Sequence, residues 1–208
     1  YNSVGNYDSL EAIQTSINSV GISKNLNTLD KRIKLDMIYD FYTSVGRDPE
    51  VILDQYIDLR KEILNKINSS KYNLSNMDLA RLFQELAYTF KFSSDDKEKA
   101  LSYLEKSIKY FESIDTTNLQ NKSLIYDSNL NKEDVLFQLM STRISLAIYL
   151  HEEMKDIEYS NNVLMKNINY YDKITGSDKS YVEGLYIASL GNLGTNSLDI
   201  NEYDKAIE

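Results

Sequence analysis

Asn192-Leu193-Gly194-Thr195-Asn196-Ser197-Leu198-Asp199-Ile200-Asn201-Glu202-Tyr203-Asp204-Lys205-Ala206-Ile207-Glu208 is the stretch whose reading decides the fold. It sets a large-small pair, Leu193-Gly194, on one helix, then a short polar turn, then aromatic-x-x-Ala opening a second helix. Small residues at 194 and 206, twelve apart, are what two antiparallel helices need where their backbones come closest. The stretch predicts a helix hairpin.

The same punctuation recurs upstream, five times in all. Tyr1-Asn2-Ser3-Val4-Gly5-Asn6-Tyr7 reads as a helix end, a Gly turn and the aromatic of the next helix, and Tyr42-Thr43-Ser44-Val45-Gly46 nearly repeats it. Leu86-Ala87-Tyr88-Thr89-Phe90 is answered by Ala100, Leu104, Ser107 and Phe111. Leu146-Ala147-Ile148-Tyr149-Leu150 is answered by Ile157, Ser160, Leu164 and Tyr171. From Ala87 to Ala100 and from Ala147 to Ser160 the step is thirteen, so these two turns should each hold one residue more than the last unit. The answering residues recur with a 3.6-residue period and share one helix face, with small side chains where the pair is tightest. A lone helix pair cannot bury both its apolar sides, and stacked neighbours bury the rest.

Nine helical segments follow: 7–20, 27–45, 48–68, 74–92, 96–114, 132–153, 155–174, 178–198 and one starting at 201. Asp48-Pro49-Glu50 puts Pro in a first turn. Ser75 with Asp78, and Gly176 before Ser177-Asp178, mark further starts, and Asp95-Asp96 caps the helix beginning there. Asp115–Asn131 contains Leu119, Leu124, Ile125 and Tyr126, and is read as a short extra helix, an extension of the helix near 132, or a loop.

The Leu-Gly pair and the Glu-Tyr-Asp-Lys-Ala-Ile-Glu helix start resemble the tetratricopeptide repeat, most closely over 192–208 and next over 79–171. The repeats are irregular: the residue ending each first helix, Tyr1, Tyr42, Phe90, Leu150 and Ser197, recurs after 41, 48, 60 and 47 residues, longer than that family's unit. The resemblance implies an all-α right-handed superhelix of antiparallel helix hairpins, a single array over 1–208. It also implies a first-helix face that lines a binding groove for a protein or peptide. By matching positions, that groove holds Arg81, Gln84, Tyr88 and Lys91, then Ser141, Ile144, Ile148 and His151, then Ala188, Gly191, Thr195 and Leu198; an earlier unit adds Ile33, Asp36 and Asp40. Ser and Ile where basic groups would be needed depart from the subfamily that clamps a C-terminal carboxylate. Two further implications are a bacterial regulator sensing signalling peptides, and docking repeats of an enzyme whose catalytic domain lies elsewhere. Asn on the groove helices would favour the sensor, and the two best-defined groove helices have none on that face.

Composition narrows the class. One Pro and seven Gly in 208 residues leave helices unbroken and argue against many-turned β architectures. With no Cys there is no disulfide framework or thiolate chemistry, which fits a cytoplasmic location. No apolar run approaches the ~18 residues of a membrane span, so no membrane insertion is expected. The net charge of −9 speaks against nucleic acid, whose phosphates are bound by displacing counterions with Lys and Arg. Both ends fall inside the repeat pattern, so a fragment of a longer protein is expected; oligomeric state is not read from these residues.

Catalytic chemistry finds little footing. The only His is His151, in His151-Glu152-Glu153-Met154-Lys155, which lacks the second His a zinc-protease helix requires. Carboxylates alone would suit only Ca²⁺ or Mg²⁺, and no metal or other cofactor is expected. Gly191-x-x-Gly194 lies within a helix rather than after a strand, so it is no phosphate cradle. The 17 Tyr read chiefly as core or rim residues with wetted hydroxyls. Arg81, Gln84 and Tyr88, at i, i+3 and i+7, share one helix face that an extended ligand could follow, with Ile144 and Ile148 as an apolar wall. The acidity of the chain suggests a ligand with basic character.

Overall fold

The computed structural model describes residues 28–44, 46, 50–90, 96–116 and 131–200. Among them are seven α-helices and no strand, so the described chain is all-α. The expected helices at 7–20 and from 201, the Asp48-Pro49 turn and most of Asp115–Asn131 lie outside the described residues. The chain forms two compact units, Tyr1–Tyr72 and Asn73–Glu208.

In the first unit, α1 (Thr28–Ser44) packs on α2 (Glu50–Asn68). Leu35, Ile38 and Tyr42 meet the equally buried Ile52, Tyr56, Leu59 and Ile63, spaced three and four apart as a helix stripe requires. The Tyr56 hydroxyl donates to Asp36 Oδ1 at 2.6 Å, and burial first, then Asp36, pushes its pKa up.

The second unit holds α3 (Asn76–Tyr88), α4 (Lys97–Glu112), α5 (Lys132–Tyr149), α6 (Ile157–Tyr171) and α7 (Ser177–Asp199). Each packs on the next, and α5 also packs on α7, as expected where alternate helices of a stack are neighbours. Ser75 caps α3 in a reciprocal box with Asp78, and Asn131 caps α5 the same way with Asp134. Asp96 stands at the start of α4 but makes no side-chain cap; its carboxylate takes Lys99 Nζ at 2.6 Å instead. Gly176 adopts φ +73° just before α7, a conformation that L side chains rarely adopt.

The expected stripe of α4 is buried at Ala100, Leu104, Ser107 and Phe111. In α6, Ser160, Leu164 and Tyr171 are buried, whereas Ile157 is only half-buried. Small polar side chains seal the tight contacts. Ser160 Oγ donates to Ala147 O at 2.8 Å, as the Ala147/Ser160 pairing requires. Seven residues farther from that turn, Asn167 Nδ2 donates to Met140 O at 2.9 Å. Sixty residues upstream, Ser107 Oγ donates to Ala80 O at 2.7 Å, the matching pair of the preceding hairpin. Ala87 and Ala100, the counterparts of Ala147 and Ser160, are both buried. The two hairpins thus share one register.

The extra residue in the second hairpin has a physical location. After Tyr149 the helix widens into a π-helical turn, Leu150–Met154, whose i→i+5 bonds take in one more residue than an α turn. Lys155 then turns left-handed at φ 58° and the Asp156 N–H reaches Leu150 O at 2.9 Å. Asp156 caps α6 through the Tyr159 N–H at 2.9 Å. The other expected extra residue falls within 91–95, outside the described residues.

Candidate helix face for ligand binding

The face expected to bind a ligand runs over α3, α5 and α7. On α3, Gln84 is 6% exposed. Its Nε2 donates to Thr142 Oγ1 of α5 at 2.9 Å and to the Tyr88 hydroxyl at 3.2 Å. Thr142 can accept because its own proton goes to Gln138 O at 2.6 Å. The Tyr88 hydroxyl and Ser145 Oγ lie 3.0 Å apart. Either hydroxyl can donate across that contact, since each carries one proton and two lone pairs. The result is a polar seam joining α3 to α5, Gln138–Thr142–Gln84–Tyr88–Ser145.

The seam divides the expected residues into two groups. Gln84 and, in part, Tyr88 are engaged between the helices. Arg81, Ser141, Ile144 and Ile148 are half-buried beside them, with Ile144 packed against the buried core of Ala87, Leu146 and Leu164. Lys91 lies outside the described residues. His151 sits in the π turn with Nε2 2.6 Å from Asp199 Oδ2 at the end of α7, its side chain 19% exposed. It therefore ties α5 to α7 rather than standing free. Sequence reading missed Thr142 and Ser145, although both follow expected positions by one residue, which in a helix turns them from the open face toward the neighbour.

On α7, Ala188 is half-buried, Gly191 and Thr195 are exposed, and Leu198 is 50% exposed. Thr195 Oγ1 donates to Gly191 O at 3.1 Å and Asn192 Nδ2 to Ala188 O at 2.8 Å, so both bond back to their own helix. A Cβ added at Gly184 or Gly191 would meet nothing within 4 Å. In the first unit, Ile33 is 41% exposed and Asp40 is exposed, whereas Asp36 is held by Tyr56 and Arg32.

No His, Asp and Glu side chains among the described residues form a group of three that could hold a metal ion. No described helix is long and apolar enough to cross a membrane. Comparison with protein-family models, with curated proteins and with solved structures found no match.

Proposed function

We propose that this chain is a non-catalytic helical-repeat scaffold of tetratricopeptide type that binds a protein or peptide segment along the first-helix face of α3, α5 and α7. The observation that carries the reading is the repeated hairpin register together with the seam between α3 and α5. Two successive hairpins pair their helices at corresponding positions sixty residues apart, and the seam sets their first helices side by side. Arg81, Ser141, Ile144 and Ile148 are each only half-buried on that side. They supply a few polar groups among apolar ones, the mixture that recognition surfaces use. The half-buried Ser141 hydroxyl at the edge of the seam can donate to a peptide carbonyl.

The test is a peptide-array screen read with wild type, Arg81→Ala and Ile144→Asp/Ile148→Asp, each first checked by circular dichroism and thermal melting. Captured peptides are expected to lose at least tenfold in affinity on the double variant, with Arg81→Ala affecting those bearing acidic residues. Undiminished affinity of every captured peptide for both variants would exclude this face as the site.

A further inference from the structure

On a different side of the second unit, α4, α5 and α6 enclose a half-open cleft of about 180 Å³. Its apolar walls are Ile108, Leu146 and Val163, and Arg143 of α5 also lines it. Arg143 is only 6% exposed. Its Nη2 donates to Glu112 Oε1 at 2.7 Å, Nη1 makes a long contact to Asn167 Oδ1 at 3.4 Å, and the guanidinium lies 5.5 Å over the Tyr170 ring. Its buried Nε has no hydrogen-bond partner among the described residues.

The hairpin does not need an arginine there. Sixty residues upstream, at the corresponding place, Phe83 stacks on Tyr110 at 5.6 Å, where Arg143 covers Tyr170. An aromatic side chain fills the position in one repeat, and a desolvated cation with an unmet donor fills it in the next. Replacing a buried ionic group by an apolar one is often neutral or favourable, so packing alone does not account for Arg143. Its one charged partner among the described residues, Glu112, has a side chain 46% exposed, so solvent lies on its outer side. Lys109 and Lys166 also line the cleft, and neither has an ion-pair partner among the described residues. Among the described residues of the lining, Glu105 and Glu112 are the only acids, so these residues together carry one net positive charge in a chain of −9.

We propose that this cleft binds a small organic carboxylate. The ligand's carboxylate takes the place of Glu112 on the guanidinium of Arg143, flanked by Lys109 and Lys166, and its apolar stem lies against Ile108, Leu146 and Val163. A volume of about 180 Å³ exceeds the ~150 Å³ cavity that admits benzene and falls short of the ~300 Å³ at which drug-sized pockets begin. The stem is therefore one short branched chain or a single ring. A free acid and the C-terminal residue of a peptide present the same chemistry.

The experiment titrates the full chain with 4-methylpentanoate, N-acetyl-leucine and the uncharged 4-methylpentanamide, following the arginine Nε–H correlations by NMR. Both acids should shift the Arg143 signal saturably, and the amide should leave it in place. Tighter binding of N-acetyl-leucine would assign the site to a peptide terminus, and tighter binding of 4-methylpentanoate to a free acid. Glu112→Gln should bind several-fold more tightly because the internal competitor is gone. Calorimetry should find no binding to Arg143→Phe, which restores the residue type of the preceding repeat, and several-fold weaker binding to the surface variant Lys166→Ala. The inference is overturned if neither acid saturates, if the amide binds as well as the acids, or if Glu112→Gln fails to strengthen binding. Unchanged affinity in folded Arg143→Phe, or in Lys166→Ala should Arg143→Phe not fold, overturns it equally.

Discussion

Ser160 connects three helices through one oxygen. It donates to Ala147 O of α5 at 2.8 Å and accepts from Asn196 Nδ2 of α7 at 2.9 Å, while sitting in α6 at 1% exposure. Ser160→Ala keeps the small volume but removes both bonds and leaves Asn196 short of a partner. A stability loss of about 1–3 kcal/mol should appear as a lower denaturant midpoint. Gly191 is the opposite case. It lies inside α7 with open space around it, so its flexibility serves no packing need, and Gly191→Ala should raise stability by about 0.5–1 kcal/mol. A fall in melting temperature would show that the position is already in contact with something a methyl group displaces. Some of this was legible in the sequence. A small residue at 160 opposite 147 is a direct demand of close helix packing, whereas the partners of Gln84 depend on which helix lies beside α3. Arg143 left a trace that could have been followed. It interrupts the stripe Leu136, Leu139 and Leu146 of α5 and Leu150 of the π turn, all buried, where a charge is out of place.

Single helices were read well where their ends carry chemistry of their own. Ser75 with Asp78 marks the start of α3 through a local capping box, and the positive φ of Gly176 marks the turn into α7. The end of α5 was misread as plain helix to 153. The π turn forms to suit where α6 must land, and no residue within it announces that. Between α1 and α2 the decisive group is Glu62, which takes Lys31 Nζ at 2.5 Å and Lys66 Nζ at 3.0 Å. Burial alone would raise its pKa, but the hydrogen bonds and charges of the two ammonium groups together outweigh it, and the pKa is lowered. A carboxyl held below its ordinary value stabilises the folded pair above that value and stops doing so as pH falls through the folded one. The α1 and α2 amides should therefore lose hydrogen-exchange protection below about pH 4.5. Glu62→Gln should flatten that dependence, and an unaltered pH profile in the variant would remove Glu62 as its source.

At the scale of the whole chain, the described helices are legible as hairpins because their contacts repeat at fixed positions, even though the units differ in length. How the successive units turn relative to one another is set by small angles summed over many contacts, which no short motif encodes. The π turn at Leu150–Met154 bears on how such a chain changes its length. An ordinary helix carries phase: removing one residue rotates everything beyond it by about 100°, turning core side chains outward. A π turn is a slack loop in that phase, where one residue can be dropped and the helix reverts to its common form with the later faces still in step. Deleting the exposed Glu152 should leave a folded chain whose melting temperature moves by only a few degrees. Deleting Ile144, two turns earlier, should unfold the second unit. If the two deletions prove equally damaging by circular dichroism, the turn has no such tolerance. If they differ as expected, irregular unit length is a tolerated record of insertions and deletions at helix junctions, and the hairpin register is what selection has had to preserve.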